Sequence, residues 1–166
     1  MIAAASLSTS PEEKFSQIST TTDLGGATIK RIPAKRVLNI SSLPWHDRFV
    51  ERVEKLIRLP RGWNGYGAGP VSFHCANFAM SLISSACPHD TQEPQVVPGA
   101  NGDLQIEWHS LEYDIEIHIR APFDVLATRY GPNDLCEETV LSNEFTVVAE
   151  WLNELENAVA ARATAA

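Results

Sequence analysis

The sequence contains no apolar run approaching the roughly 20 residues that a membrane-spanning helix requires, although 44% of its 166 residues are hydrophobic. No charged region precedes the short apolar stretch within Met1 to Ser10, so neither a membrane span nor an export signal is expected. Cysteine is scarce. Cys75, Cys87 and Cys136 are an odd number at unrelated spacings, which argues against a disulfide framework and against a Cys-x-x-Cys metal knuckle. Free thiols of this kind suit a reducing, cytoplasmic setting and a structural role in the core. Catalytic signatures are missing too: there is no Gly-x-Ser-x-Gly elbow, no His-Glu-x-x-His and no Cys/His pairing. His46, His74 and His89 stand apart with no third group to orient them.

Positive charge is nearly absent from the second half of the chain. Residues 1–87 carry ten Lys/Arg against six Asp/Glu, whereas residues 88–166 carry three Arg against fifteen Asp/Glu, a net charge of -12. Such a surface repels phosphate backbones and steers basic partners toward it, so direct nucleic acid binding is disfavoured and a basic protein partner is expected. The same charge also serves solubility.

What is present reads as an α+β fold. Residues 1–26 are rich in Ser, Thr and Ala and are expected to form a flexible tail. Residues 27–41 hold two basic pairs, Lys30-Arg31 and Lys35-Arg36, with β-branched residues around Pro33, the composition of a basic extended arm or edge strand. A single domain is expected over 42–162, with 163–166 fraying. Ser42 is placed to cap a first helix with Pro44 in its opening turn, and Trp45, Phe49, Val53, Leu56 and Ile57 recur at helical spacing until Pro60. Ser72 is placed to cap a second helix, whose inner side carries Ala76, Met80, Ile83 and Cys87 and which stops at Pro88.

The clearest pattern follows. Asp103 to His109 and Asp114 to Arg120 alternate strictly between polar and apolar residues, the signature of two half-buried strands. A two-residue turn at Leu111-Glu112 sets Trp108 opposite Ile115, Ile106 opposite Ile117 and Leu104 opposite Ile119. A slip by one residue would turn one apolar set to water, so the pattern itself selects this register. Gln95 to Val97 and Val125 to Tyr130 supply one strand on each side, giving a four-stranded antiparallel meander. A last helix is expected from a cap at Ser142, with Phe145, Val148, Leu152, Leu155 and Val159 laid across the apolar sheet face.

The loop Gly62-Trp-Asn-Gly-Tyr-Gly-Ala68, together with the hairpin segment Gly102-Asp-Leu-Gln-Ile-Glu-Trp108 and Ile115-Glu-Ile117, resembles a widespread group of small bacterial proteins. These share a Trp-Asp/Asn-Gly-x-Gly-Ala loop between two helices and a Glu-Trp hairpin; the likeness covers roughly residues 50–125, with Asn64 where aspartate is common. The resemblance implies the element order but no established activity, and its association with mobile-element neighbourhoods points toward toxin, antitoxin or defence roles.

Two constellations are candidates for function. The glycine-rich loop precedes a helix N-terminus, where backbone N–H groups favour anions, and Arg61, Trp63, Asn64 and Tyr66 are its ligand-binding candidates. It follows a helix rather than a strand and lacks the Lys-Ser/Thr of a P-loop, so Trp63 and Tyr66 are expected mainly to pin the loop onto the core. The second constellation is the outer hairpin face, where Glu107 faces Glu116, His109 faces Asp114 and His118 lies diagonal to Glu107. These five residues are the expected docking surface for a basic partner, itself a candidate nucleic-acid-binding protein. The resulting expectation is a non-catalytic inhibitor, immunity protein or antitoxin without a cofactor, its oligomeric state open, a homodimer included. Competing readings are a metal-assisted hydrolase or nuclease on the same five side chains, and a small-ligand sensor at Trp63 and Tyr66.

Overall fold

The computed structural model describes residues 43–165; the expected tail, the basic arm and the Ser42 cap lie outside the described residues. Two helices come first, α1 at His46–Ile57 and α2 at Phe73–Ala86. Five strands follow, β1 at Gln95–Pro98, β2 at Leu104–Ser110, β3 at Tyr113–Ala121, β4 at Asp124–Gly131 and β5 at Leu135–Leu141. The chain then closes with α3 at Thr146–Thr164. The strands pair antiparallel in chain order, so the sheet is a meander of five strands rather than four. The α+β class agrees with the sequence, and among the described residues two helices lead and one closes.

The fifth strand escaped the alternation rule because it has almost no buried face. Leu135 to Leu141 lies at the sheet edge with four of its seven residues exposed and none buried, so polar residues occur on both sides. The connection to it is a three-residue loop, Pro132 to Asp134, in which Asn133 and Asp134 both take left-handed backbone conformations that their short polar side chains tolerate.

The hairpin register follows from burial. Leu104 pairs with Ile119, Ile106 with Ile117 and Trp108 with Ile115, and all six side chains are buried on the inner face. Leu111 opens the connecting turn at φ 56, a conformation rarely adopted without glycine. The apolar pattern therefore overrides local turn preference, since any other register would expose several large side chains at roughly 1.5–3 kcal/mol each.

All three helices contribute to one core against this inner face: Phe49 and Val53 from α1, Ala79, Leu82 and Ile83 from α2, and Val148, Leu152 and Leu155 from α3. Phe78 of α2 stacks edge-on against Phe145 at 5.9 Å and against Phe123 of the β3–β4 turn at 5.2 Å, tying helix to helix and helix to sheet. Burial pushes the thiol of Cys87 up to about 12.

The segment between α2 and β1 is held from three sides. Trp45 Nε1 donates to the Thr91 carbonyl at 2.6 Å and Trp108 Nε1 to the Gln92 carbonyl at 3.0 Å. Glu156 of α3 accepts from the Gln92 N–H at 2.8 Å, and Arg48 and Arg52 of α1 pair with Glu93. One short stretch thus locks α1, β2 and α3 together through groups whose burial would otherwise be unfavourable.

Caps explain two helix starts, one as expected and one not. Ser72 accepts from the Cys75 N–H at 3.1 Å, as its position before the apolar repeat requires. At α3 the N-cap residue is Phe145, not Ser142, and the carboxylate just before it, Glu144, accepts from the Thr146 N–H at 2.8 Å and from the Thr146 hydroxyl. A carboxylate there also complements the positive end of the helix dipole. The helix runs on through Thr164, into the stretch expected to fray.

Candidate functional site

Because the helices occupy one face, the other face of the sheet is open. Its rows run across the strands. Gln95, Glu107, Glu116, Thr128 and Glu138 form one, and Val97, Gln105, His118, Leu126 and Val140 form the next. His109, Asp114, Tyr130 and Cys136 form a third. Glu107, His109, Asp114, Glu116 and His118 therefore share one face, as the alternation indicated.

Glu107 and Glu116 stand directly opposite each other, an arrangement that is unfavourable unless each carboxylate finds another partner. They do. Gln105 Nε2 donates to Glu116 Oε2 at 2.8 Å, and Glu107 Oε2 lies 3.0 Å from His109 Nε2. The other ring nitrogen, Nδ1, lies 2.8 Å from Asp114 Oδ1. Only the Glu107 contact has hydrogen-bond geometry; Asp114 Oδ1 is buried without a hydrogen-bond partner and meets the ring as a charge. The Glu107 hydrogen bond, with the charges of Asp114 and Glu107, accordingly raises the His109 pKa.

His118 does not join this group. It pairs with Asp103 at 2.5 Å, at the mouth of the β1–β2 turn. Partial burial disfavours ionisation of Asp103, but His118, the Asn101 N–H and its own N–H together hold its pKa below the usual carboxylate value. Asp103 also fixes the turn itself, since a Cβ at Gly99 would fall 2.1 Å from its Oδ1. A side chain at position 99 would have to displace the Asp103 carboxylate from its hydrogen bonds to His118 and the Asn101 N–H.

With His109 hydrogen-bonded to Glu107 and His118 drawn away to Asp103, the five side chains do not converge on one point. Among the described residues, no group of three His, Cys, Asp or Glu side chains has the geometry to hold a metal ion. The arrangement is suited instead to presenting charge. Glu107, Asp114, Glu116 and Glu138 are interleaved with exposed apolar groups, Val97, Tyr130 at 47% and Val140 at 66%.

Sequence reasoning missed these apolar members and Glu138. The available signal was Leu126, which breaks the alternation of β4 by standing between the inward residues Val125 and Ala127.

The glycine-rich loop is organised differently from expectation. Asn64 Oδ1 accepts from the N–H groups of Tyr66 (2.9 Å) and Ala68 (3.2 Å), while the Gly62 N–H donates to the Ala68 carbonyl at 2.7 Å. Trp63 pins the loop through Nε1 to the Gly69 carbonyl at 2.8 Å. Tyr66 does not pack on the core: it is 95% exposed, because the loop closes on its own backbone and leaves that side chain outside. Arg61 is exposed as well. The loop's own hydrogen bonds use the N–H groups of Gly62, Gly65, Tyr66 and Ala68, and Ser72 caps the following helix, so these are not aimed at an anion.

No family model, curated protein or solved structure matches this chain. Among the described residues no helix is long and apolar enough to cross a membrane.

The His109 geometry makes a direct prediction. Its titration midpoint, read from the ring resonances by NMR, will lie above 6.5 and will fall toward that value in Glu107→Gln. A raised folded-state pKa contributes stability that is complete below the unfolded value and is lost as pH rises through the folded one. The contribution is at most about 1 kcal/mol, since the side chain is 41% exposed. Losing that proton also leaves the face more negative as pH rises through the same midpoint.

Proposed function

We propose that this chain is a non-catalytic acidic interaction protein that engages a basic protein surface, acting as an inhibitor, immunity protein or antitoxin. The observation that carries the reading is the open face of the sheet. Three helices cover one side and leave the other to a row of carboxylates flanked by exposed apolar side chains. Charge complementarity of this kind accelerates encounter and rejects wrong partners, while the apolar groups supply contact area. A basic surface that otherwise binds nucleic acid is the natural counterpart, because it is shaped to accept regularly spaced negative charge. The cysteines Cys75, Cys87 and Cys136 are free thiols, which suits a cytoplasmic setting.

The test is affinity capture from the native host with three forms of the full chain: unaltered, Glu107→Lys/Glu116→Lys, and Glu51→Lys/Glu54→Lys. The last pair makes the same charge change on the exposed side of α1. The unaltered chain and the α1 variant are expected to retain the same basic protein. The face variant is expected to bind it at least about a hundredfold more weakly. Retention will fall between roughly 0.1 and 1 M salt, as the screening length shrinks from about 10 to about 3 Å. Equal retention by the face variant, once its folding is confirmed by circular dichroism, would remove the proposal.

A further inference from the structure

The two edges of the sheet are built differently. β1 is four residues long, is preceded by Pro94 and ends in Pro98, and is flanked by α1, whose Arg52 Nη1 donates to the Pro94 carbonyl at 3.2 Å. Shortness and proline are ordinary means of closing an edge to further pairing. β5 has neither. It is seven residues long, contains no proline and pairs with β4 alone, so half of its backbone N–H and C=O groups point away from the sheet. Cys136, Glu137 and Glu138 are exposed along it, and Val140 is 66% exposed. Beside its end lies a groove of about 430 Å³, with Val140, Leu141 and Val147 among its apolar lining and Glu144 and Glu150 among its carboxylates.

Charge decides which strand can be added. A second copy pairing antiparallel about a two-fold axis through the middle of β5 would set Glu138 against its own counterpart, with Glu137 diagonal to it, and like charges directly opposite are destabilising. An extended basic segment meets the reverse situation. Successive residues of an added strand alternate between faces, so two adjacent cationic side chains would lie beside Glu138 on the outer face and Glu137 on the inner. Glu137 is shared with Arg129, whereas Glu138 has no ion-pair partner among the described residues. In a parallel addition, the residues two and three positions beyond the second cation would lie beside Val140 and Leu141.

We propose that β5 is a docking edge for an extended basic segment of the partner protein, a Lys/Arg pair lying beside Glu137 and Glu138 and apolar side chains beside Val140 and Leu141. The proposal rests on the reading of the chain as an acidic interaction protein and names how part of the partner is held: by strand addition, with backbone hydrogen bonds supplying affinity and charge supplying choice.

The experiment titrates the full chain with the capped heptapeptide Thr-Lys-Arg-Thr-Val-Ile-Thr, its acidic counterpart Thr-Glu-Glu-Thr-Val-Ile-Thr, and two forms of the basic peptide methylated on alternate backbone nitrogens. Binding is followed by calorimetry and by amide exchange. The basic peptide is expected to bind and to slow exchange within residues 135–141; the acidic peptide is expected to do neither. One methylated form, the one whose lost donors face β5, is expected to bind at least about tenfold more weakly, and the other to bind nearly as well as the parent. Glu138→Lys should weaken the parent peptide about tenfold, while Glu107→Lys/Glu116→Lys should leave its affinity within about twofold. Equal binding by both methylated forms, or no binding at millimolar peptide, would overturn the proposal. So would concentration-dependent dimerisation that protects the same amides, which would make a second copy the occupant. Peptide binding lost on reversing Glu107 and Glu116 would place the site on the open face, overturning the edge assignment while leaving the broader function standing. Peptide binding at the edge, with partner capture indifferent to that reversal, would remove the face alone.

Discussion

Trp108→Ala is expected to destabilise the domain by about 3–5 kcal/mol, lowering the thermal midpoint by roughly 10–20 °C. The indole is 3% exposed, lies opposite Ile115 in the central hairpin, and donates from Nε1 to the Gln92 carbonyl. Its removal therefore opens a cavity beneath the sheet and releases the segment that locks α1, β2 and α3 together. Since single domains hold only about 5–15 kcal/mol in all, the variant will be near the limit of folding. Trp108→Phe separates the two contributions. It keeps most of the volume and loses the indole donor, so a loss of about 1–2 kcal/mol is expected. Urea unfolding with an unchanged slope measures both. A phenylalanine variant as unstable as the alanine one would show that the hydrogen bond to the Gln92 carbonyl, and not the packing, dominates.

The hairpin was legible because its pattern and its energetics coincide: six large side chains had one common face available, and only one register provided it. The Ser72 cap was legible for a similar reason, since an N-cap is a local arrangement that needs nothing from the rest of the chain. β5 was not legible. An edge strand with little burial has no apolar period, and its sequence carries Glu137 on the inner face because Arg129 is there to meet it. The same logic hid the exposure of Tyr66. Aromatic residues in a glycine-rich loop are ordinarily buried, but here Asn64 and the Gly62 to Ala68 hydrogen bond close the loop without that ring. At the candidate site the five polar positions followed from parity alone. Which imidazole pairs with which carboxylate did not, because side-chain reach, rather than strand register, sends His118 to Asp103.

Arg129 shows how a residue with the wrong polarity for its position can hold the sheet edge in place. It sits on the inner face of β4 in step with Val125 and Ala127, and is 6% exposed. Its guanidinium donates through Nε and Nη2 to Glu137 of β5 at 3.1 and 2.7 Å, and through Nη1 to Glu154 of α3 at 2.5 Å. Its Cζ lies 5.1 Å from the centroid of the Trp151 ring. Arg129→Ala removes the stem that packs on Trp151 and leaves two carboxylates facing an emptied space. A loss of about 3 kcal/mol is expected, at the low end for a buried pair because Glu137 and Glu154 are themselves about half exposed. Arg129→Met refills the volume without the charge and should stay within about 1.5 kcal/mol of the unaltered chain. Arg129→Lys should fall between them, since one ammonium cannot serve both glutamates with the planar geometry of the fork. The effect will also be local. Without Arg129, β5 keeps its ladder to β4 but loses its tether to α3, so amide exchange should accelerate within residues 135–141 while Leu104–Ser110 remains protected. Binding of the basic heptapeptide should weaken in parallel, because a strand must be ordered before another can be added to it. If the alanine variant matches the methionine variant in stability and leaves the exchange of β5 unchanged, Arg129 is only a space filler and the edge is held by its backbone alone.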